Sequence, residues 1–187
     1  MKKLKTSLFS LLFGISLFST AHASPFSISE NQINQYLSEK GTIQDKFSFP
    51  GLFSVDYQLK DLHTQIGRTN EKRVEMTGLA EGLFKLGGKQ FPAKLNLTFD
   101  TIPYYDAEKG AVYLRDLRIL RWSGEPNEYM EQLQVAMPFL SQSIAALLSS
   151  VPVYTLDDTN MRDVLIKKFA KGIKIEPGSL ELEAGIL

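Results

Sequence analysis

The chain has no cysteine. Disulfides, thiol nucleophiles, Cys-ligated metals and a lipid-modified N-terminal Cys are therefore excluded, and stability has to come from packing. Histidine is nearly absent too. Of two, His22 lies in an N-terminal leader and only His63 belongs to the body of the chain. One histidine and no cysteine leave too few ligands of the usual kind for a transition-metal site. Net charge is also missing, with 21 basic and 21 acidic residues. There is no Gly-x-Ser-x-Gly elbow, P-loop or dinucleotide fingerprint, and no internal repeat or low-complexity linker.

What is present begins with an export leader. Met1-Lys-Lys-Leu-Lys is basic, Leu8 to Phe18 is apolar, and Ala21-His22-Ala23 fits a signal peptidase site. Residues 1–23 are predicted to be a signal peptide, cleaved before Ser24. The apolar run is shorter than the ~20 residues of a membrane span; a retained N-terminal anchor is the alternative. Either way the chain leaves the cytoplasm. Cleavage removes Lys2, Lys3 and Lys5 but no acid, so the remainder is acidic, which argues against nucleic acid as a partner. Residues 24–187 have the size of a single domain.

Ser29 followed by Gln32 reads as a capping box opening a helix Glu30–Lys40, with Ile33, Tyr36 and Leu37 at helical spacing and Gly41 to end it. The period then changes to two. An alternating stretch from Ile43 to Phe49 reaches a turn at Pro50-Gly51, and four antiparallel strands follow. In the first, from Phe53 to Ile66, the apolar phase shifts near Lys60–Asp61, which predicts a bulge. In the second, Val74, Met76, Gly78, Ala80, Gly82, Phe84 and Leu86 share one face. The small residues in its middle allow close packing or a bend, or else leave a hollow. Phe91 to Phe99 alternates likewise, and Ala111 to Trp122 returns with a phase slip near Asp116.

Glu125 to Ser150 reads as one long helix, with Pro126 in its first turn and Glu125, Glu128 and Glu131 at the positive dipole end. Met130, Leu133, Met137, Leu140, Ile144 and Leu147 form its apolar face, which Val135, Phe139, Ala145 and Leu148 widen. Pro138 predicts a bend. A further helix running to about Lys171 follows, capped by Asp157, Asp158 or Thr159, with Met161, Val164, Leu165 and Phe169 as its apolar side and Gly172 ending it. Ile173–Ile175 and Leu180–Leu182 around Pro177-Gly178 make a final broken strand. The fold class is α+β.

Catalysis finds no support. His63 falls opposite the apolar phase of its strand and lacks visible triad partners. Asp157 and Asp158 suit a helix start, and nothing selects a pair among Asp100, Asp106 and Asp116. The sequence reads as a non-enzyme with no cofactor. Lys167, Lys168 and Lys171 suit a helix C-terminus, or a transient contact with an anionic membrane surface. The apolar inventory is richer. A helix with so wide a face, set against such strands, predicts either a plain core or an apolar ligand cavity. The groove would be lined by Met76, Gly78, Ala80, Phe84, Leu95, Leu97, Phe99, Leu133, Met137, Leu140, Ile144 and Leu147.

Three blocks carry a resemblance: Asp61-Leu-His-Thr-Gln-Ile-Gly-Arg68, Pro103-Tyr-Tyr-Asp-Ala-Glu-Lys-Gly-Ala-Val-Tyr-Leu114, and Lys167-Lys-Phe-Ala-Lys-Gly-Ile-Lys-Ile-Glu-Pro-Gly178. With these, residues 24–187 resemble the YceB-like group of bacterial envelope proteins, a domain of unknown function likened to tubular lipid-binding (TULIP) domains. The resemblance implies a strongly curved antiparallel sheet wrapped around the long helix. It also implies a groove between the two for a lipid or other apolar molecule. That group contains lipoproteins anchored through a Cys after the signal peptide. Ser24 stands there in this chain, which implies a soluble periplasmic member. The leading expectation is a periplasmic binding protein for a lipid-like or other apolar ligand; the rival is a ligand-free envelope interaction or assembly module with a packed core.

Overall fold

The computed structural model describes residues 26–69 and 71–185, so the expected signal peptide and its cleavage site lie outside the described residues. The described chain opens with β1 (Ser27–Ser29) and α1 (Glu30–Lys40). The expected capping box is formed: Gln32 N donates to Ser29 Oγ (3.2 Å) and Ser29 N to Gln32 Oε1 (2.9 Å). Four strands and a fifth expected only as an alternating stretch follow: β2 (Ile43–Phe49), β3 (Phe53–Ile66), β4 (Val74–Leu86), β5 (Lys89–Asp106) and β6 (Ala111–Glu125). After the long helix α2 (Met130–Ser150) come β7 (Tyr154–Thr155), α3 (Met161–Phe169), β8 (Ala170–Glu176) and β9 (Ser179–Ala184).

The strands form two antiparallel sheets. The larger has the order β2-β3-β4-β5-β6-β7 and is not closed; the smaller has the order β1-β9-β8. Helix α2 lies close to β6 on one side and to β2 and β3 on the other, so the large sheet curls around it. This is the α+β architecture expected.

Bulges supply the curl: the large sheet has three register shifts, one of them between Thr98 and Phe99 of β5 against β6, and the other two carry an Asp in left-handed backbone. The register of β3 on β4 shifts between Lys60 and His63, where Asp61 has φ 53°. That of β5 on β6 shifts between Asp100 and Ile102, opposite Asp116 with φ 54°. Both were legible as phase slips, and Asp is a side chain that tolerates left-handed backbone. The glycines of β4 add to the bend. A Cβ on Gly82 would stand 2.4 Å from the Asp56 carbonyl oxygen and 2.7 Å from Tyr57 Cβ, and one on Gly78 would stand 2.9 Å from Leu62 Cδ2. The small residues therefore admit β3, not the helix. β5 runs longer than read, through Pro103. Its two prolines sit where one flank lacks a partner: Pro92 precedes the β6 ladder, which starts at Lys94, and Pro103 lies past the last β4 pair, Val74 with Thr101.

Three expectations are corrected. The long helix begins at Met130, not Glu125, because Glu125 ends β6 and Pro126 is extended; Asn127–Tyr129 form a single 3-10 turn between them. Its 21 residues span about 32 Å. Val135 does not widen the buried face, since it is 57% exposed; Pro138, where a bend is expected, lies inside the helix, as read, on its exposed side. The last helix stops at Phe169, is capped by Asn160 and turns outward: Asp163 and Ile166 are its buried residues, while Met161, Val164 and Leu165 are exposed. Gly172 falls within β8.

The sheets are joined at the end of β3. Gly178 N donates to Ile66 O (3.0 Å), and Gly67 has φ +67° with no room for a Cβ, which would lie 2.6 Å from the Glu176 carbonyl oxygen. Gly67→Ala combines a left-handed backbone, ~1–2 kcal/mol, with crowding, ~1–3 kcal/mol. Urea unfolding should show a loss of about 2–5 kcal/mol, against the backbone cost alone, ~1–2 kcal/mol, for Gly51→Ala, where φ is +78° but nothing lies within 4 Å.

Candidate functional site

The concave layer between sheet and α2 holds the residues expected to line a groove. Met76, Gly78, Ala80 and Phe84 lie on β4, and Leu95, Leu97 and Phe99 on β5. Directly opposed pairs are Met76 with Phe99, Gly78 with Leu97 and Ala80 with Leu95. Leu133, Met137, Leu140, Ile144 and Leu147 come from α2. Apart from Gly78, all belong to or pack on one apolar cluster. Water is kept from most of them: Met76, Phe99, Leu140 and Ile144 are each 0% exposed, and only Leu147 is half-buried.

One polar cluster interrupts this layer. Ser143, buried on the inner face of α2 between Leu140 and Ile144, donates to Asp45 Oδ2 of β2 (3.1 Å) and lies 3.0 Å from Tyr57 Oη of β3. Tyr57 Oη also donates to Asp45 Oδ2 (3.3 Å). Burial, more than the neighbouring Asp45, pushes the Tyr57 phenol far above its ordinary range, so it stays a neutral donor. The three side chains tie the middle of α2 to the β2–β3 edge. Sequence reading missed this latch. The available signal was that Ser143 occupies an apolar-stripe position and Tyr57 an inward strand phase.

The outer side of α2 is also distinctive. From Gln132 to Ser150 the helix has no charged side chain, although Val135, Pro138 and Ala146 face solvent. By length and composition Asn127–Ser150 could cross a membrane; here it covers the sheet.

A second polar cluster holds the β5–β6 bulge. Arg73 Nε donates to Asp100 Oδ1 (2.7 Å) and its Nη1 to Asp116 Oδ2 (2.6 Å), while Nη2 donates to the Asp116 carbonyl that the bulge takes out of the ladder. Arg118 donates to both carboxylate oxygens of Asp100 (2.9 and 2.5 Å) and to Glu71 (2.7 Å). The Arg118 hydrogen bond is the largest influence on Asp100; burial opposes it and Arg73 assists it, and the carboxyl is held below its usual range.

The remaining candidates for chemistry stay apart. His63 is exposed. Asp157 accepts from Thr159 N (2.8 Å) and Oγ1 (2.7 Å), and Asp158 pairs with Lys167. Among the described residues no group of three or more His, Asp or Glu could hold a metal ion. Lys168 and Lys171 are exposed, whereas Lys167 is tied to Asp158 and lies across Gly110.

Residues 28–179 match the family described as "Protein of unknown function (DUF1439)". The chain is 33% identical over 157 residues to the "Uncharacterized lipoprotein YceB" of Salmonella typhimurium, covering 83% of this chain and 84% of that protein. With the Escherichia coli protein of the same name it is 30% identical over the same shares. A solved structure titled "Crystal structure of lipopolysaccharide binding protein" is similar at 9% identity and a TM-score of 0.26. That likeness covers 86% of this chain and 50% of the other, so this chain spans half its length.

The ion cluster has a pH signature. An unfolded Asp titrates near ~4, whereas Asp100 titrates lower in the fold. Its stabilising contribution is complete above that unfolded value and is lost as pH falls through the folded one. The urea midpoint should therefore drop between about pH 5 and 2, and the drop should be smaller in Asp100→Asn. Equal acid dependence in the two proteins would contradict this assignment.

Proposed function

The chain belongs to the DUF1439 family, and from that premise we propose that it is an envelope binding protein for a lipid-like or other apolar ligand, held between the curved sheet and α2. The twelve residues of the concave layer would contact the ligand. The observation that carries this reading is the charge-free stretch of α2 from Gln132 to Ser150. A covering helix of that kind can move off the sheet and face an acyl chain or a lipid surface on either side without desolvating a charge. Its hold on the β2–β3 edge includes the latch of Ser143, Tyr57 and Asp45, whose hydrogen bonds contribute ~0.5–1.5 kcal/mol each. Each methylene of an entering chain gains ~0.8 kcal/mol on leaving water.

The leader of residues 1–23 would export the protein, and Ser24 in place of a lipid-modified Cys would leave it soluble in the periplasm. Contact with membranes would then be transient. Helix α3 offers a surface for it: Met161 is 75% exposed, Val164 41% and Leu165 45%, with Lys168 and Lys171 exposed nearby. A lysine near an anionic surface adds ~1 kcal/mol. The second reading, a ligand-free interaction or assembly module, draws on the near-complete burial of the concave layer.

Native mass spectrometry of the protein purified from periplasm, followed by lipid extraction, separates the two. An apolar adduct, retained or taken up from added lipid, is the expected result. Ala80→Leu, which adds three carbons at a fully buried position, should lower that uptake while costing ~1–3 kcal/mol of stability. A protein that neither retains nor takes up any apolar molecule rejects the binding reading.

A further inference from the structure

The concave layer is apolar except at one place, and that place carries a charge. Among the inward-phase positions of β2 from Ile43 to Phe47, β3 from Phe53 to Leu59, β4 from Val74 to Phe84 and β5 from Phe91 to Phe99, only Asp45 is charged. The helix opposite has no charged side chain from Gln132 to Ser150. Among the described residues no cation pairs with Asp45. The adjacent Lys46 takes the outer face, where Asp56 holds it (2.7 Å). Asp45 is half-buried, at the rim where β2 meets α2, whereas Tyr57 and Ser143 behind it are each 1% exposed.

The protons of this trio decide what it can offer a ligand. A hydroxyl has one proton to donate and two lone pairs, and a carboxylate has lone pairs only. Tyr57 and Ser143 therefore hold two hydroxyl protons between them. Tyr57 Oη reaches Asp45 Oδ2 (3.3 Å), Ser143 Oγ reaches the same oxygen (3.1 Å), and the two hydroxyls lie 3.0 Å apart. Whichever way the hydroxyls turn, both protons are used inside the trio. What stays open is acceptor capacity, above all Asp45 Oδ1, which takes no hydrogen bond from any described residue. A carboxylate or phosphate head would meet like charge there and find no proton. A head that donates hydrogen bonds meets a charged acceptor, which binds it more strongly than a neutral one.

We propose that Asp45, Tyr57 and Ser143 form the head-group subsite of the concave layer, selecting amphiphiles whose polar end donates hydrogen bonds, a hydroxyl or an ammonium, over anionic ones. This rests on the apolar-ligand reading above and adds the polar end of the ligand to it. The chain lies between the sheet and α2, and the head stays at the half-buried Asp45, within reach of water.

The test uses the full chain and three probes that share a lauryl-length chain and differ in head: monolaurin, dodecylamine and laurate. Each is titrated calorimetrically at neutral pH, below its micelle-forming concentration. Monolaurin, dodecylamine or both should bind about tenfold or more tighter than laurate. Asp45→Asn keeps the shape of the side chain and removes its charge, so it should bring the affinities together. A latch with a merely structural role would shift all three probes alike, so the readout is the ratio of affinities. Ser143→Ala removes one internal donor and leaves the carboxylate in place; it should keep or widen the preference. A preference confined to monolaurin supports the subsite with a hydroxyl as its head and rejects the ammonium, and one confined to dodecylamine does the reverse. Laurate binding as tightly as the other two, or a preference that Asp45→Asn leaves unchanged, overturns the subsite while the apolar-ligand reading survives. If none of the three binds, both fall.

Discussion

The mutual burial of α2 and the concave face of the large sheet is the constraint on which the other features depend. A sheet that bends this far leaves a deep apolar trough, in which Met76, Ala80, Leu95 and Phe99 would face water without a cover. A single helix can fill it only if its apolar face is wide, and α2 supplies Leu133, Ala136, Met137, Leu140, Ile144 and Leu148 to the buried side. With no disulfide available, this layer carries the stability that a covalent staple supplies in many exported domains. The bulges at Asp61 and Asp116 and the crowded Gly82 are the backbone devices that make the trough.

Polar groups serve this apolar arrangement at two places. At the Asp116 bulge the sheet loses ladder pairing, and Arg73 recovers it by binding the freed carbonyl and two carboxylates at once. Midway along α2, Ser143 and Tyr57 share Asp45 and fix the rotation and height of the helix at the edge remote from β6. The two differ in reversibility. The Arg73 and Asp100 side chains are only 9% and 11% exposed and carry full charges, so breaking one partner strands the other. The latch joins two hydroxyls to one half-exposed carboxylate, which water can replace.

Much of this was legible in the sequence because period and punctuation are local properties. The capping box, the strand phases and both phase slips follow from side-chain order alone. The misread positions depend on tertiary context. Glu125 and Pro126 look like a helix start, yet the β6 ladder reaches Glu125, which pairs with Lys94. Met161, Val164 and Leu165 form an apolar stripe that no layer covers, because Asp163 and Ile166 take the inward side of α3. The glycines of β4 could be seen as small but not assigned to a neighbour, since only the fold shows that β3 crowds them. For the candidate site, the inward phase of the twelve residues expected to line a groove was legible. The latch, by contrast, joins Asp45, Tyr57 and Ser143 across long sequence separations, and its only local signs were a serine in an apolar stripe and a tyrosine in an inward phase.

The most direct test of the central claim uses the single tryptophan, Trp122. It opposes Leu97 across the β5–β6 ladder and packs on the apolar cluster that α2 covers. A fatty acid brominated along its chain should quench Trp122 fluorescence saturably, and the unbrominated acid should compete, if the chain enters between the sheet and the helix. Saturable binding of the brominated acid with Trp122 emission unchanged would contradict the account.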